Sequence, residues 1–161
     1  MSKNYSLLVF LLCSGLLGVA LFLQHVGLGG VHYPPCPLCI LQRIGFLVVG
    51  LSSLFSYFFP RVRFSFILIA WLASLFGLLV ALRHAYVIAY PQISCGLDPL
   101  EVFINQFQIV QLFAFFFKAD GFCSMPLPPV LGLSVPNWSL IGFVFLMLHL
   151  SFSLLRQPRR H

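Results

Sequence analysis

Cys36 and Cys39 stand three residues apart in the stretch PPCPLCILQRIG, which runs from Pro34 to Gly45, and Arg43 follows one helical turn after the second thiol. Only a thiolate attacks a disulfide or ligates a soft metal, so what surrounds the two sulfurs decides their chemistry. Proline is favoured at the first position of a helix, where its missing N–H costs nothing. With Pro37 in that position, Cys36 is the N-cap and Cys39 lies in the first turn. Both sulfurs then face unpaired amides at the positive end of the helix dipole, a setting that favours the charged form. Arg43 lies four residues after Cys39, on the same helix face and one turn deeper. Its charge either stabilises a thiolate or a reduced, anionic acceptor beside Cys39, or snorkels outward along its aliphatic stem. Gln42 points to another face and reads as a helix-packing hydrogen bonder.

A CxxC pair serves redox chemistry, zinc or haem. Haem attachment wants a histidine directly after the second cysteine, and Ile40 stands there. Cys95 and Cys123, with the first pair, offer four thiolates for a tetrahedral zinc. Zinc ribbons use two close pairs, however, whereas these two are 28 positions apart (95 to 123), so no resident metal is expected. The fifth cysteine, Cys13, falls inside an apolar run and reads as a small buried residue.

The elements that position these thiols follow from composition. The 161 residues are 60% hydrophobic and only 7% charged, too little charge to cover a water-soluble domain. Four apolar runs approach the roughly 20 residues needed to cross a bilayer: 7–24, 38–59, 64–82 and 138–155. The expectation is an all-α membrane protein, a single membrane domain over 1–161. It is a four-transmembrane-helix bundle with outer loops at 25–37 and 85–137. The net charge of +6 does not indicate nucleic acid, because the basic residues sit at the ends of apolar runs rather than in a polar patch with stacking aromatics. The first run lacks a strong basic flank and a small-residue cleavage site, so it reads as a retained span.

Lys3, Arg61, Arg63, Arg156, Arg159 and Arg160 collect at one set of helix ends, which places both termini inside. Cys36, Cys39, Cys95 and Cys123 then lie at or beyond the outer face, where disulfides persist. Within the second outer loop, FQIVQLFAFFF (107–117) is too short to span and fits a short helix lying in the interface. A pair at the membrane rim reaches a lipid-soluble acceptor, and a second pair on a loop reaches a soluble protein. Thiol–disulfide exchange connects them, which suggests Cys95 and Cys123 as the entry and Cys36 and Cys39 as the exit to a quinone.

LFLQHV before the first outer loop, CPLCILQR opening the second span, RHAY after the third, a loop with paired cysteines and GLSVPNW entering the fourth resemble, in order, the DsbB disulfide-bond formation proteins. The resemblance covers nearly the whole chain. It implies an inner-membrane thiol:quinone oxidoreductase that reoxidises a DsbA-like periplasmic thiol oxidase and delivers electrons to ubiquinone or menaquinone in the membrane quinone pool. It further implies that Cys95 is attacked by the partner thiolate, that Cys123 pairs with it and transiently with Cys36, and that Cys39 meets the quinone. Arg43 would help bind the quinone and His84 would line the same pocket, unless His84 is a helix-end histidine. His25 and His32 read as hydrogen-bonded loop residues. Two other functions were weighed: a zinc-stapled membrane scaffold, and a quinone reductase of the vitamin K epoxide reductase type.

Overall fold

A computed structural model describes residues 3–90, 121 and 128–156. Among them four helices are long and apolar enough to cross a membrane, and no strand occurs, only the isolated bridges Leu28–Val31 and Val130–Leu133. The protein is therefore an all-helical, multi-pass membrane protein. Helix α1 spans Lys3–His25, α2 Pro37–Phe58, α3 Arg63–Ala89 and α4 Val135–Leu155, and a 3-10 turn, Pro60–Val62, joins α2 to α3.

Each boundary has a local cause. α1 stops where Gly27 takes φ +78°, a conformation only glycine adopts freely, and its N–H still bonds the Phe22 carbonyl at 3.1 Å. α2 ends at Phe58, and its C-cap Phe59 stands directly before Pro60, whose ring disfavours helix in the preceding residue. α3 runs seven residues beyond the apolar stretch ending at Leu82, through RHAYVIA, because no proline intervenes before Pro91. α4 begins at Val135, before the expected Trp138, with Ser134 as N-cap and Pro136 in the first turn.

α2 packs against α1 and α3, and α3 packs against α4. Polar contacts fix the antiparallel sense. Ser6 near the start of α1 lies 3.4 Å from Ser56 near the end of α2, Arg63 at the start of α3 reaches Ser6 at 3.5 Å, and the Trp71 indole N–H donates to Ser151 at 2.8 Å. The core between them holds Val9, Cys13, Phe46, Val49, Phe143 and Leu146. Cys13 is buried there, against Gly50, as a small apolar residue. Large apolar side chains such as Leu8, Leu11, Phe22, Leu72, Leu79 and Leu148 are exposed on the outer faces, where acyl chains take the place of water.

Close helix approach depends on small residues. Phe143 stacks on Phe46 with ring centroids 4.0 Å apart and lies over Gly45 and Gly77; a Cβ on Gly77 would overlap its ring. Gly77→Ala is accordingly expected to lower stability by about 1–3 kcal/mol, the usual cost of overpacking, read as a lower melting temperature in detergent. Gly15→Ala, with nothing within 4 Å of the added methyl, should leave the melting temperature unchanged or raise it. Equal behaviour of the two variants would rule out Phe143 packing as the constraint.

Candidate functional site

The proline-first helix start expected of PPCPLC is what the structure contains. Cys36 is the N-cap of α2 with an extended backbone (φ −86°, ψ 167°), Pro37 opens the helix, and the Cys39 N–H donates to the Cys36 sulfur at 3.4 Å. The cap thus satisfies one of the unpaired amides with sulfur rather than oxygen. The two sulfurs stand 3.3 Å apart as free thiols. A disulfide needs about 2.05 Å, so the pair is placed to close with little backbone motion.

On the α3 side, His84 lies against the dyad. Its Nε2 is 3.5 Å from the Cys36 sulfur and its Nδ1 is 3.9 Å from that of Cys39. The Gln42 amide meets Nδ1 at 3.1 Å. His84 is only 3% exposed and Gln42 equally so. The continuation of α3 past Leu82 brings His84 there, against Gln42 of α2, and the helix-end position expected for His84 gives way to a buried one. His25 and His32 are exposed at the end of α1 and in the following loop.

On the opposite side of Cys39 lies an apolar cavity of about 300 Å³. Leu16 and Ala20 of α1 form one wall and Tyr33 and Pro35 another. Val130 and Trp138, at the entry to α4, close it, while Cys39, Gln42, Arg43 and Phe46 face it from α2. His84 is not among its lining residues. Arg43 does not snorkel: it is 8% exposed, and it donates from Nη1 to the Gln24 Oε1 at 2.6 Å and from Nη2 to the Ala20 carbonyl at 3.4 Å. A guanidinium bound to α1 in this way sets a fixed positive charge in an otherwise apolar wall.

Three hydrogen bonds tie together the loop end. The Tyr33 hydroxyl donates to the Pro128 carbonyl at 3.2 Å, and the Trp138 indole N–H to that of Val130 at 2.9 Å. Gly121 donates its N–H to the Pro35 carbonyl at 3.0 Å, and a Cβ there would overlap the Pro34 carbonyl oxygen. Sequence reasoning assigned no role to Gln24, Tyr33, Gly121 or Trp138, although Gln24 and Trp138 fall inside the quoted stretches LFLQHV and GLSVPNW. Cys95, Cys123 and the 107–117 stretch lie outside the described residues.

The cavity meets the requirements of a quinone ring. Its volume is at the small end of ligand pockets, its walls are apolar, and one thiol and one cation face inward. Arg43, Gln42 and Cys39 are the residues that would hold the ring.

The chain matches the family model "Disulfide bond formation protein DsbB" over residues 2–152. It is 41% identical to a disulfide bond formation protein B of Cupriavidus necator, over 98% of this chain and 96% of the relative. A protein of the same name from Ralstonia nicotianae is also 41% identical, over 99% and 98% respectively. One from Herminiimonas arsenicoxydans is 41% identical over 88% of each.

Proposed function

The chain belongs to the DsbB family and is a disulfide-forming membrane oxidoreductase, and from that premise we propose that it reoxidises a DsbA-like periplasmic dithiol oxidase at the expense of ubiquinone or menaquinone. The scaffold and reductase readings find no support in these relatives. The observation that carries the proposal is the placement of Cys39 in the wall of an apolar cavity while its partner Cys36 caps the helix at the loop end.

Sidedness follows from charge. Arg61, Arg63 and Arg156 all belong to the bundle end opposite the dyad. The preference for basic residues inside puts that end and both termini in the bacterial cytoplasm, and the dyad at the periplasmic face of the inner membrane. Cys95 and Cys123 complete the relay in this reading. The partner thiolate attacks Cys95, forming a mixed disulfide and releasing Cys123 as a thiolate. Cys123 opens the Cys36–Cys39 disulfide by bonding Cys36, which frees the Cys39 sulfur toward the cavity. The second partner thiol then resolves the mixed disulfide, and the partner leaves oxidised. A bound quinone supplies a two-electron, two-proton acceptor. Arg43 holds positive charge beside the cavity, Cys39 presents its sulfur to it, and Tyr33, Pro35 and Trp138 supply apolar wall.

The test is anaerobic. Purified full-length protein in detergent, given reduced DsbA and a short-chain ubiquinone or menaquinone analogue, is expected to consume one quinone per dithiol oxidised, followed by quinone absorbance. Oxidation of the donor that needs oxygen, or no loss of either quinone, would overturn the proposal.

A further inference from the structure

We propose that the reduced dyad and His84 together form a binding site for a thiophilic divalent cation, zinc or cadmium, which holds the protein in its reduced form. The proposal rests on the disulfide-forming role of the dyad only in that the site exists while both sulfurs are reduced. It differs from the four-cysteine zinc site weighed from sequence spacing, because it uses no loop cysteine.

The geometry is that of a three-ligand metal site. One ligand atom each from Cys36, Cys39 and His84 lie within 4.8 Å of one another. Tetrahedral zinc, with bonds of about 2.3 Å to sulfur and 2.0–2.1 Å to imidazole, puts its sulfurs roughly 3.8 Å apart and sulfur and nitrogen roughly 3.6 Å apart. The Cys36 sulfur is 3.5 Å from Nε2 of His84, and the sulfurs are 3.3 Å apart, so these two pairs lie within about half an ångström of the ligated spacing. Nε2 is the ligating atom, because Nδ1 is engaged by the Gln42 amide at 3.1 Å. The Gln42 amide nitrogen faces Nδ1 in the structure; ligation through Nε2 places the ring proton on Nδ1, and a flip of the Gln42 amide turns its oxygen to that N–H, fixing the ring as hydrogen-bond partners of metal-binding histidines do.

The charge balance also favours occupancy. Binding releases the two thiol protons to water, and two thiolates with a neutral imidazole leave a divalent cation with no net charge. A buried site tolerates that far better than a bare ion. Arg43 directs its Nη1 and Nη2 to Gln24 and Ala20 on α1. Cys39 is only half-buried, which leaves the fourth tetrahedral position for water, and three protein ligands with one open position is a familiar zinc arrangement. Once the sulfurs join as a disulfide, two of the three ligands are gone, so metal and oxidant compete for one dyad.

The experiment uses full-length protein carrying Cys95→Ser and Cys123→Ser, so that only the dyad supplies reactive thiols near the site. Reduced anaerobically and titrated with cadmium, it is expected to show one equivalent of thiolate-to-cadmium charge-transfer absorbance, displaced by zinc. The same protein oxidised to the Cys36–Cys39 disulfide should bind none. His84→Ala should weaken cadmium by at least about 100-fold, and Gln42→Ala by about 10–100-fold. Melting temperatures of the metal-free variants separate lost ligation from lost folding. Unchanged affinity in His84→Ala, or equal binding by the oxidised protein, would overturn the proposal. So would absence of the charge-transfer band in reduced protein that melts normally.

Discussion

Cys39→Ala is expected to abolish quinone-linked oxidation of the donor dithiol, leaving only the uncatalysed background. Among the described residues Cys39 is the one thiol in the cavity wall, whereas Cys36 is 3% exposed and turned toward His84. Among the described residues the one sulfur of a cysteine outside the dyad, that of Cys13, is buried in the core. Loss of a covalent nucleophile typically costs on the order of 10⁴-fold or more in turnover. Cys39→Ser keeps the size and the helix start and should be equally inactive, which separates chemistry from packing. Anaerobic quinone consumption with a reduced donor is the measurement. Turnover in Cys39→Ala above about a tenth of the parent would remove Cys39 from the electron path.

Arg43→Met should raise the quinone KM by about 10–150-fold while the donor KM stays within twofold. The guanidinium is held at the cavity wall by Gln24 and Ala20, and a hydrogen bond to a charged group is worth about 1.5–3 kcal/mol, which corresponds to that range at 1.36 kcal/mol per decade. Methionine retains the bulk of the stem, so the cavity stays filled. Gln24→Leu provides the comparison: it removes the anchor without removing the charge, and its effect on quinone KM should be smaller. A shift in donor KM with quinone KM unchanged would show that Arg43 acts on the loop side instead.

How much of this was legible beforehand differs from residue to residue. The four spans follow from apolar runs because lipid leaves the chain no alternative to internally satisfied helices. The N-cap role of Cys36 follows from Pro37, whose fixed φ and missing N–H make sense only at a helix start. By contrast, the expected end of α3 at Leu82 rests on hydrophobicity, while the helix itself continues to Ala89, two residues before Pro91. Those additional turns carry His84 to the sulfurs. Gln24 and Gln42 look alike in sequence, two polar residues in apolar helices, yet one binds Arg43 and the other His84; only the packing of α1, α2 and α3 distinguishes them. The cavity was not legible either, because its walls come from residues around Leu16, Tyr33, Cys39 and Val130, and no local pattern joins segments so far apart.

The hydrogen bond from Gly121 to Pro35 pins one point of the connection between α3 and α4 beside the start of α2. Its acceptor, Pro35, directly precedes the N-cap Cys36, and Cys123 follows Gly121 by two peptide units, a reach of at most about 7 Å. A short covalent tether keeps the effective concentration of a group high near its anchor. In the proposed relay, one amide thus holds Cys123 within reach of the sulfur it would open.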